Sequence, residues 1–172
     1  MDLRTIETLP TTGLTWEAVC RHPSLRDLPF KIELNQHGQL LMSPTRIDHS
    51  RYQSRLARLL WTQLPGDGEV LTECAIRTEQ GTRVADVAYV SAGRLRRIAG
   101  TAEAEVAPEL CVEILSPGNT EEEMAQQRRL YLAAGAQEVW ICDLEGQLFF
   151  FDATGRRPAS TLVPGAPVRI DL

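Results

Sequence analysis

The chain has very little lysine: of its 18 basic residues only one, Lys31, is a lysine, and arginine supplies the rest. The net charge is −5 at pH 7. Proteins that bind nucleic acid tightly and without specificity usually carry a basic surface. The composition therefore weakens the case for such a protein, although local basic patches remain compatible with it, as at Arg94, Arg96 and Arg97 or at Arg128 and Arg129.

Long apolar runs and paired cysteines are also missing. No apolar run approaches the roughly 20 residues that a membrane-spanning helix needs, and Met1–Thr5 contains no apolar signal segment. We therefore expect a cytoplasmic protein. The cysteines are scattered without a CxxC pair, which argues against a zinc site or a disulfide framework. We expect them to be reduced, mostly packed side chains; they are Cys20, Cys74, Cys111 and Cys142.

The length of 172 residues fits one domain. We predict a single domain over 1–172, with an N-terminal helical extension at 1–29 and a core at about 30–152. Hydrophobic periodicity and turn residues predict helices at 14–22, 46–64 and 121–134, with a helical turn at 94–98. They predict strands at 30–34, 39–42, 69–77, around Asp86, around Glu113, at 139–143, at 148–151 and, as an edge, within 163–170. This order indicates an α/β (α+β) fold with a mixed central sheet flanked by helices.

Two carboxylates lie within strongly apolar strands. Asp86 is in the run Val84–Val90, and Glu113 is in the run Leu110–Leu115. An ionised carboxylate in such a position is costly unless it is paired or binds a metal. If the two strands are neighbours, the pair predicts a shared Mg²⁺ site, since Mg²⁺ prefers one or two carboxylates with water and substrate phosphate. Either residue alone could instead lie at a strand end, exposed or bonded to backbone.

Several segments, in order along the chain, resemble the Uma-two family of small bacterial proteins, within the restriction-endonuclease-like PD-(D/E)XK superfamily. The matching segments are Ile32–Leu34 with Gly38, Met42–Pro44, His49, Ala85–Val87, Val112–Pro117, Arg128, Tyr131, Ala134–Gly135 and Glu138–Asp143. The superfamily proline before the aspartate is replaced by Ala85. The resemblance implies a restriction-endonuclease-like fold in which Asp86 and Glu113 hold Mg²⁺ or Mn²⁺ and activate a water that attacks a DNA phosphodiester.

The resemblance also implies a lysine that this sequence does not show where the family has it. In much of the superfamily it stands two residues after the glutamate, which is Leu115 here. In the Uma-two branch it lies on the next helix, four residues before the tyrosine, which is Gln127 here. Met124, Gln127, Tyr131 and Ala134 share one helical face, so we expect Gln127 to point towards the carboxylates. The alternative is a glutamine at the core edge. Lys31 is expected to lie away from this site.

Two further residues are weaker candidates for the site. Glu33 alternates with the apolar Ile32 and Leu34, which also fits a residue that faces solvent. His49 lies near the start of the long helix, about one turn before Tyr52, where it could face the sheet. Histidine can act as a general base or a metal ligand, although a histidine that caps or packs fits this position equally well.

Three functions follow from these features. The first is a Mg²⁺-dependent DNA endonuclease, weakened because Gln127 replaces lysine. The second is a nuclease-fold module that has lost catalysis and binds nucleic acid or a protein. The third is a homodimerisation domain, because three phenylalanines in Leu148–Phe151 put an aromatic on each face of a strand. We favour the endonuclease and expect a homodimer.

Overall fold

The computed structural model describes residues 10–64 and 66–172; the expectation for Met1–Thr5 lies outside them. The helices are α1 (Trp16–Arg21), α2 (Ile47–Gln63), α3 (Ala92–Ile98) and α4 (Glu121–Ala133), with a short 3-10 turn at Pro23–Leu25. The strands are β1 (Phe30–Leu34), β2 (Leu40–Pro44), β3 (Glu69–Thr78), β4 (Gly81–Val90), β5 (Leu110–Ile114), β6 (Glu138–Cys142), β7 (Leu148–Asp152) and β8 (Gly155–Arg157).

Strands β3 to β8 form one six-stranded sheet in sequence order. Only β5 and β6 run parallel; the remaining neighbours are antiparallel. The parallel pair needs a crossover, and α4 supplies it. Thr120 caps α4 in a reciprocal capping box with Glu123. The sheet is therefore mixed and flanked by helices, so the predicted fold class is confirmed.

The central strands are buried on both faces. On one face, Tyr52, Leu56 and Leu60 of α2 recur at helical spacing and pack against the sheet. On the other face, Tyr131 of α4 and Ile98 of α3 pack against it. Strands β5 and β6 have no exposed residue, which explains why their sequences are almost continuously apolar. A carboxylate on such a strand has to find its partners inside the protein.

The hairpin β1–β2 forms a separate two-stranded sheet beside β4. Gly81, at the turn into β4, allows this close approach. Its φ is +94°, and a Cβ there would lie 2.3 Å from the carbonyl oxygen of Leu34. Only glycine accommodates both conditions. Gly81 therefore fixes the distance between the first hairpin and the strand that carries Asp86.

One prediction for the C-terminal part is wrong, and one strand was not predicted. The tail at 163–170 forms no strand, although it bonds to the end of the sheet through the Gln147–Arg169 bridge and through the N–H of Leu148, which donates to the carbonyl of Val168. Its sequence has no alternating apolar pattern, and Val163 and Ile170 pack individually into the core. The strand that was not predicted is β8, at one edge of the sheet.

The phenylalanines of β7 do not leave one face bare. Phe150 is buried in the core, while Phe149 and Phe151 lie beneath the guanidinium groups of Arg156 and Arg128, at 4.8 and 4.0 Å. The aromatic surface behind the homodimer prediction is thus partly covered by the chain's own arginines.

The four cysteines are free thiols; only Cys20 is exposed. Over the described residues, no helix has the length and apolar content needed to cross a membrane.

Candidate functional site

Asp86 and Glu113 lie on neighbouring strands. The pairing of β4 with β5 runs through Val87 opposite Val112, which brings the two carboxylates to the next position along both strands. Asp86 is 0% exposed and Glu113 is 4% exposed. The backbone N–H of Ile114 donates to Asp86 Oδ2 at 2.7 Å. The remaining oxygens take their partners from three other elements, β1, α2 and α4.

Lys31 supplies the cation between the two carboxylates. Its ammonium donates to Asp86 Oδ1 at 2.7 Å and to Glu113 Oε2 at 3.0 Å. The expectation that this lysine lies away from the site is therefore wrong. Lys31 is on β1, which the hairpin brings against β4, so its separation in sequence says nothing about its distance in space. The site has a lysine, delivered by a different element from the one expected.

The three charged groups shift one another's ionisation. Burial opposes the charge on Asp86, but Lys31 and His49 outweigh it and lower the pKa of Asp86 to about 2. Burial, with the charges of Asp86 and Glu33, raises the pKa of Glu113 to about 8 against the opposing effect of Lys31. Burial alone would lower the pKa of Lys31, yet the surrounding carboxylates raise it above its ordinary value. At neutral pH, Asp86 is therefore ionised and Glu113 largely protonated.

Helix α4 holds the other side of Glu113. The Tyr131 hydroxyl donates to Glu113 Oε1 at 2.5 Å. Gln127 Nε2 lies 2.9 Å from the Tyr131 hydroxyl, 3.1 Å from Glu33 Oε1 and 3.4 Å from Glu113 Oε1. The helical-face argument thus predicted the direction of Gln127 correctly. Its amide is a neutral donor that holds carboxylates in place; its role in catalysis stays a prediction.

Glu33 faces the site rather than solvent. It shares one face of β1 with Lys31, and its Oε1 accepts from the backbone N–H of Val84 at 2.8 Å. The Arg83 guanidinium lies 3.7 Å from Glu33 Oε2. Arg83 is itself buried, and its Nε is the buried side-chain donor without a partner among the described residues. A second cation therefore lines the site beside Lys31.

His49 and Gln53 reach the site from α2. His49 Nε2 lies 3.3 Å from Asp86 Oδ1. Gln53 Nε2 donates to the backbone carbonyl of Asp86 at 2.9 Å and to Glu73 Oε1 at 2.6 Å. Glu73, opposite Asp86 on β3, has a φ of +52°. A non-glycine residue in the left-handed region is strained, and this one interrupts the ladder beside Asp86.

These residues line an open cleft of about 560 Å³. Its walls come from the β1–β2 hairpin, the start of α2, the loop after β5 and the first half of α4. All five residues predicted for the site contribute: Glu33, His49, Glu113 and Gln127 line the cleft, and Asp86 lies directly behind Lys31.

Comparison with known families identifies the chain. The sequence model of Uma2, described as "Putative restriction endonuclease", matches residues 16–160. The chain belongs to the Uma2 family. A search of the curated proteins finds no match. Among solved structures, this Uma2 chain is similar to a crystal structure described as a "putative nuclease belonging to DUF820" from Anabaena variabilis. The two share 16% identity and a TM-score of 0.71, over 91% of this chain and 95% of the other. That likeness supports the nuclease-like fold.

The oxygen atoms in this Uma2 site suit a divalent metal. Asp86 Oδ1 and Glu113 Oε2 converge on one cationic point, now taken by the Lys31 ammonium. Two carboxylates are the set that Mg²⁺ or Mn²⁺ uses when water and substrate phosphate complete its shell. Within the described residues, no group of three or more His, Cys, Asp and Glu side chains is arranged to hold an ion. A metal here would rest on Asp86 and Glu113, at the point that the Lys31 ammonium takes.

Sequence reasoning missed four residues of this Uma2 site as partners of the carboxylates: Lys31, Gln53, Arg83 and Tyr131. One signal could have found Lys31. It stands two residues before Glu33, so both must lie on the same face of β1. Placing Glu33 at the site would have placed Lys31 there as well. Gln53 follows His49 by one helical turn, and the same reasoning applies to it.

Proposed function

We propose that this Uma2 protein is a metal-dependent DNA endonuclease that hydrolyses phosphodiester bonds. The supporting observation is the convergence of two buried carboxylates and one ammonium at a single point on the floor of an open cleft. Burying two carboxylates and a lysine is expensive in desolvation, and titratable groups with perturbed pKa values in a cleft are typical of functional sites. The family description and the nuclease-like fold favour nucleic acid as the substrate.

Each residue of the site has a proposed role. Asp86 and Glu113 hold Mg²⁺ or Mn²⁺, which when bound polarises a phosphoryl oxygen and activates water. Lys31 places a positive charge where negative charge develops on the phosphate during the reaction. Tyr131 and Gln127 fix the orientation of Glu113. His49 and Gln53 orient Asp86, and Glu33 keeps Arg83 and Gln127 beside the cleft.

Lys31 changes the expected level of activity. A site in which Gln127 replaced the only lysine would lose a charged stabilising group, and such a loss costs about 10²–10³ in rate. Lys31 supplies such a charge from β1, beside the two carboxylates that would share the site with a metal. We therefore propose an active nuclease rather than a decayed one.

Cleavage of supercoiled plasmid tests the proposal. The native protein is incubated with Mg²⁺, with Mn²⁺ and with EDTA, beside Asp86→Asn and Glu113→Gln. We expect nicking or linearisation only with native protein and metal. Arg96→Gln on α3 is the matched control, because that arginine is exposed and lies outside the cleft. Equal cleavage by native protein and Asp86→Asn would reveal a contaminating nuclease, and no cleavage in either metal would end the enzyme proposal.

A further inference from the structure

Helix α2 concentrates positive charge on an otherwise acidic chain. Its arginines, with Arg46 just before it, account for four basic residues against one acidic residue, Asp48. Arg51, Arg55 and Arg58 fall within a wedge of about 60° around the helix axis. All three are exposed. The buried face of the same helix, with Tyr52, Leu56 and Leu60, points the other way.

Neighbouring carboxylates neutralise these arginines very little, so their positive charge is available to a ligand. In the described part of the chain, no carboxylate lies within ion-pairing distance of Arg46, Arg55 or Arg58. Among the described residues, the one ion pair of Arg51 is with Asp48, at 3.2 Å and with both side chains exposed. Such a surface pair contributes about 0–1 kcal/mol, so it exchanges readily for a phosphate. Arginine also matches a phosphate with two parallel N–H donors.

A shallow groove adjoins the catalytic cleft beside the arginines. It has a volume of about 530 Å³ and is lined by Thr45, by Arg46 and by the first turns of α2, including Arg51 and Arg55. Thr45 and Ser50 line both this groove and the cleft. His49, next to Ser50 in the first turn of α2, contacts Asp86. A polymer lying across the cleft would pass directly onto α2.

We infer that this arginine row on α2 is the track that binds the phosphate backbone of duplex DNA next to the catalytic site. The inference rests on the proposed nuclease function and names the surface that holds its substrate. From Arg51 to Arg58 the helix rises about 10 Å, a length over which duplex DNA carries about six phosphates. Carboxyl groups outnumber cations in the lining of the cleft, so a neighbouring basic surface strengthens the attraction for phosphates.

The test is DNA binding as a function of salt. Fluorescence anisotropy with a short labelled duplex, in EDTA to prevent cleavage, gives the dissociation constant over a salt series. The slope of log affinity against log salt is negative, and each lost phosphate contact reduces its magnitude by about 0.9. We expect Arg51→Gln/Arg55→Gln to reduce the magnitude of the slope by about 2 and to weaken binding at every salt concentration. The control Arg96→Gln/Arg97→Gln removes the same charge from exposed positions on α3 and is expected to leave the slope unchanged.

The possible results test the DNA-binding role of the α2 arginines separately from the nuclease activity. Equal slopes for the α2 variant, the control and the native chain overturn the track, whatever the plasmid assay shows. Native protein that binds no duplex at all overturns it too. A slope of reduced magnitude in the α2 variant alone supports the track even if no metal gives cleavage. With cleavage present, the α2 variant is expected to show a raised KM at an unchanged kcat, because it removes binding that is uniform along the reaction.

Discussion

The Lys31 ammonium lies 2.7 Å from Asp86 Oδ1, although 55 residues separate them along the chain. Lys31 comes from a small hairpin and Asp86 from the central sheet. The sheet therefore provides the carboxylates, and the hairpin provides the positive charge. This division explains why β5 and α4 carry no lysine at the expected positions while a lysine still lies beside the carboxylates in space.

Metal binding should release a proton at neutral pH. Glu113 is largely protonated at pH 7 because its pKa is about 8, and a divalent cation needs it ionised. Isothermal titration calorimetry with Mg²⁺ or Mn²⁺ in buffers of different ionisation enthalpy measures the number of protons released per metal ion bound. We expect close to one proton per metal at pH 6–7, falling towards zero above pH 9, with affinity that rises over the same range. Glu113→Gln should release none and bind the metal weakly; proton release equal to that of native protein would contradict the account.

The stability of the metal-free protein should fall as pH rises from about 4.5 to 8. The pKa of Glu113 is raised from its ordinary value of 4.5 to about 8 in the folded state. In that window the unfolded chain gives up a proton that the folded chain keeps, so stability decreases with pH. Asp86 contributes in the opposite sense only at acid pH, because its pKa is lowered.

Thermal unfolding in EDTA across this range measures the effect. Glu113→Gln cannot titrate and should show a flatter profile than native protein between pH 5 and 8. Added Mg²⁺ should restore the Tm of native protein most strongly near pH 8. Parallel profiles for the two proteins would show that Glu113 does not carry the raised pKa.

Gly81→Ala should disrupt the geometry of the site, although residue 81 is not one of the site residues. The new Cβ would meet the Leu34 carbonyl at 2.3 Å, and the φ of +94° adds strain, for a combined cost of at least about 1–2 kcal/mol. The hairpin must then move away from β4, and Lys31 moves with it. We expect a lower Tm and a loss of cleavage measured well below that Tm. Gly93→Ala on α3, where the nearest atoms are 3.9 Å away, is the control and should be neutral or stabilising.

Much of the fold could be predicted because local signals agreed with the tertiary structure. The apolar runs around Asp86 and Glu113 are buried strands, and the spacing of Tyr52, Leu56 and Leu60 gave α2 its correct face. The direction of Gln127 followed from helical periodicity alone. Strand β8 could not be found, because Gly155–Arg157 is short and fully exposed, so it carries no hydrophobic pattern.

The part of the site that could not be predicted depends on packing between segments that are distant in the sequence. Nothing local to Lys31 shows that β1 lies against β4; that contact depends on Gly81, about 50 residues later. Periodicity reports which residues share a face of one element, and it does not report which elements meet. Alternation places Lys31 and Glu33 on one face of β1, but this relation was not used, and the place where that face packs required the tertiary structure.

One measurement tests the central claim that Lys31 provides the catalytic charge. Plasmid cleavage with Mg²⁺ is compared for native protein, Lys31→Gln, Gln127→Lys and the double variant Lys31→Gln/Gln127→Lys, each verified as folded by circular dichroism. We predict that Lys31→Gln loses about 10²–10³ in rate. The double variant should recover part of that loss, because residue 127 lies beside the same glutamate. Full activity of folded Lys31→Gln would contradict the account.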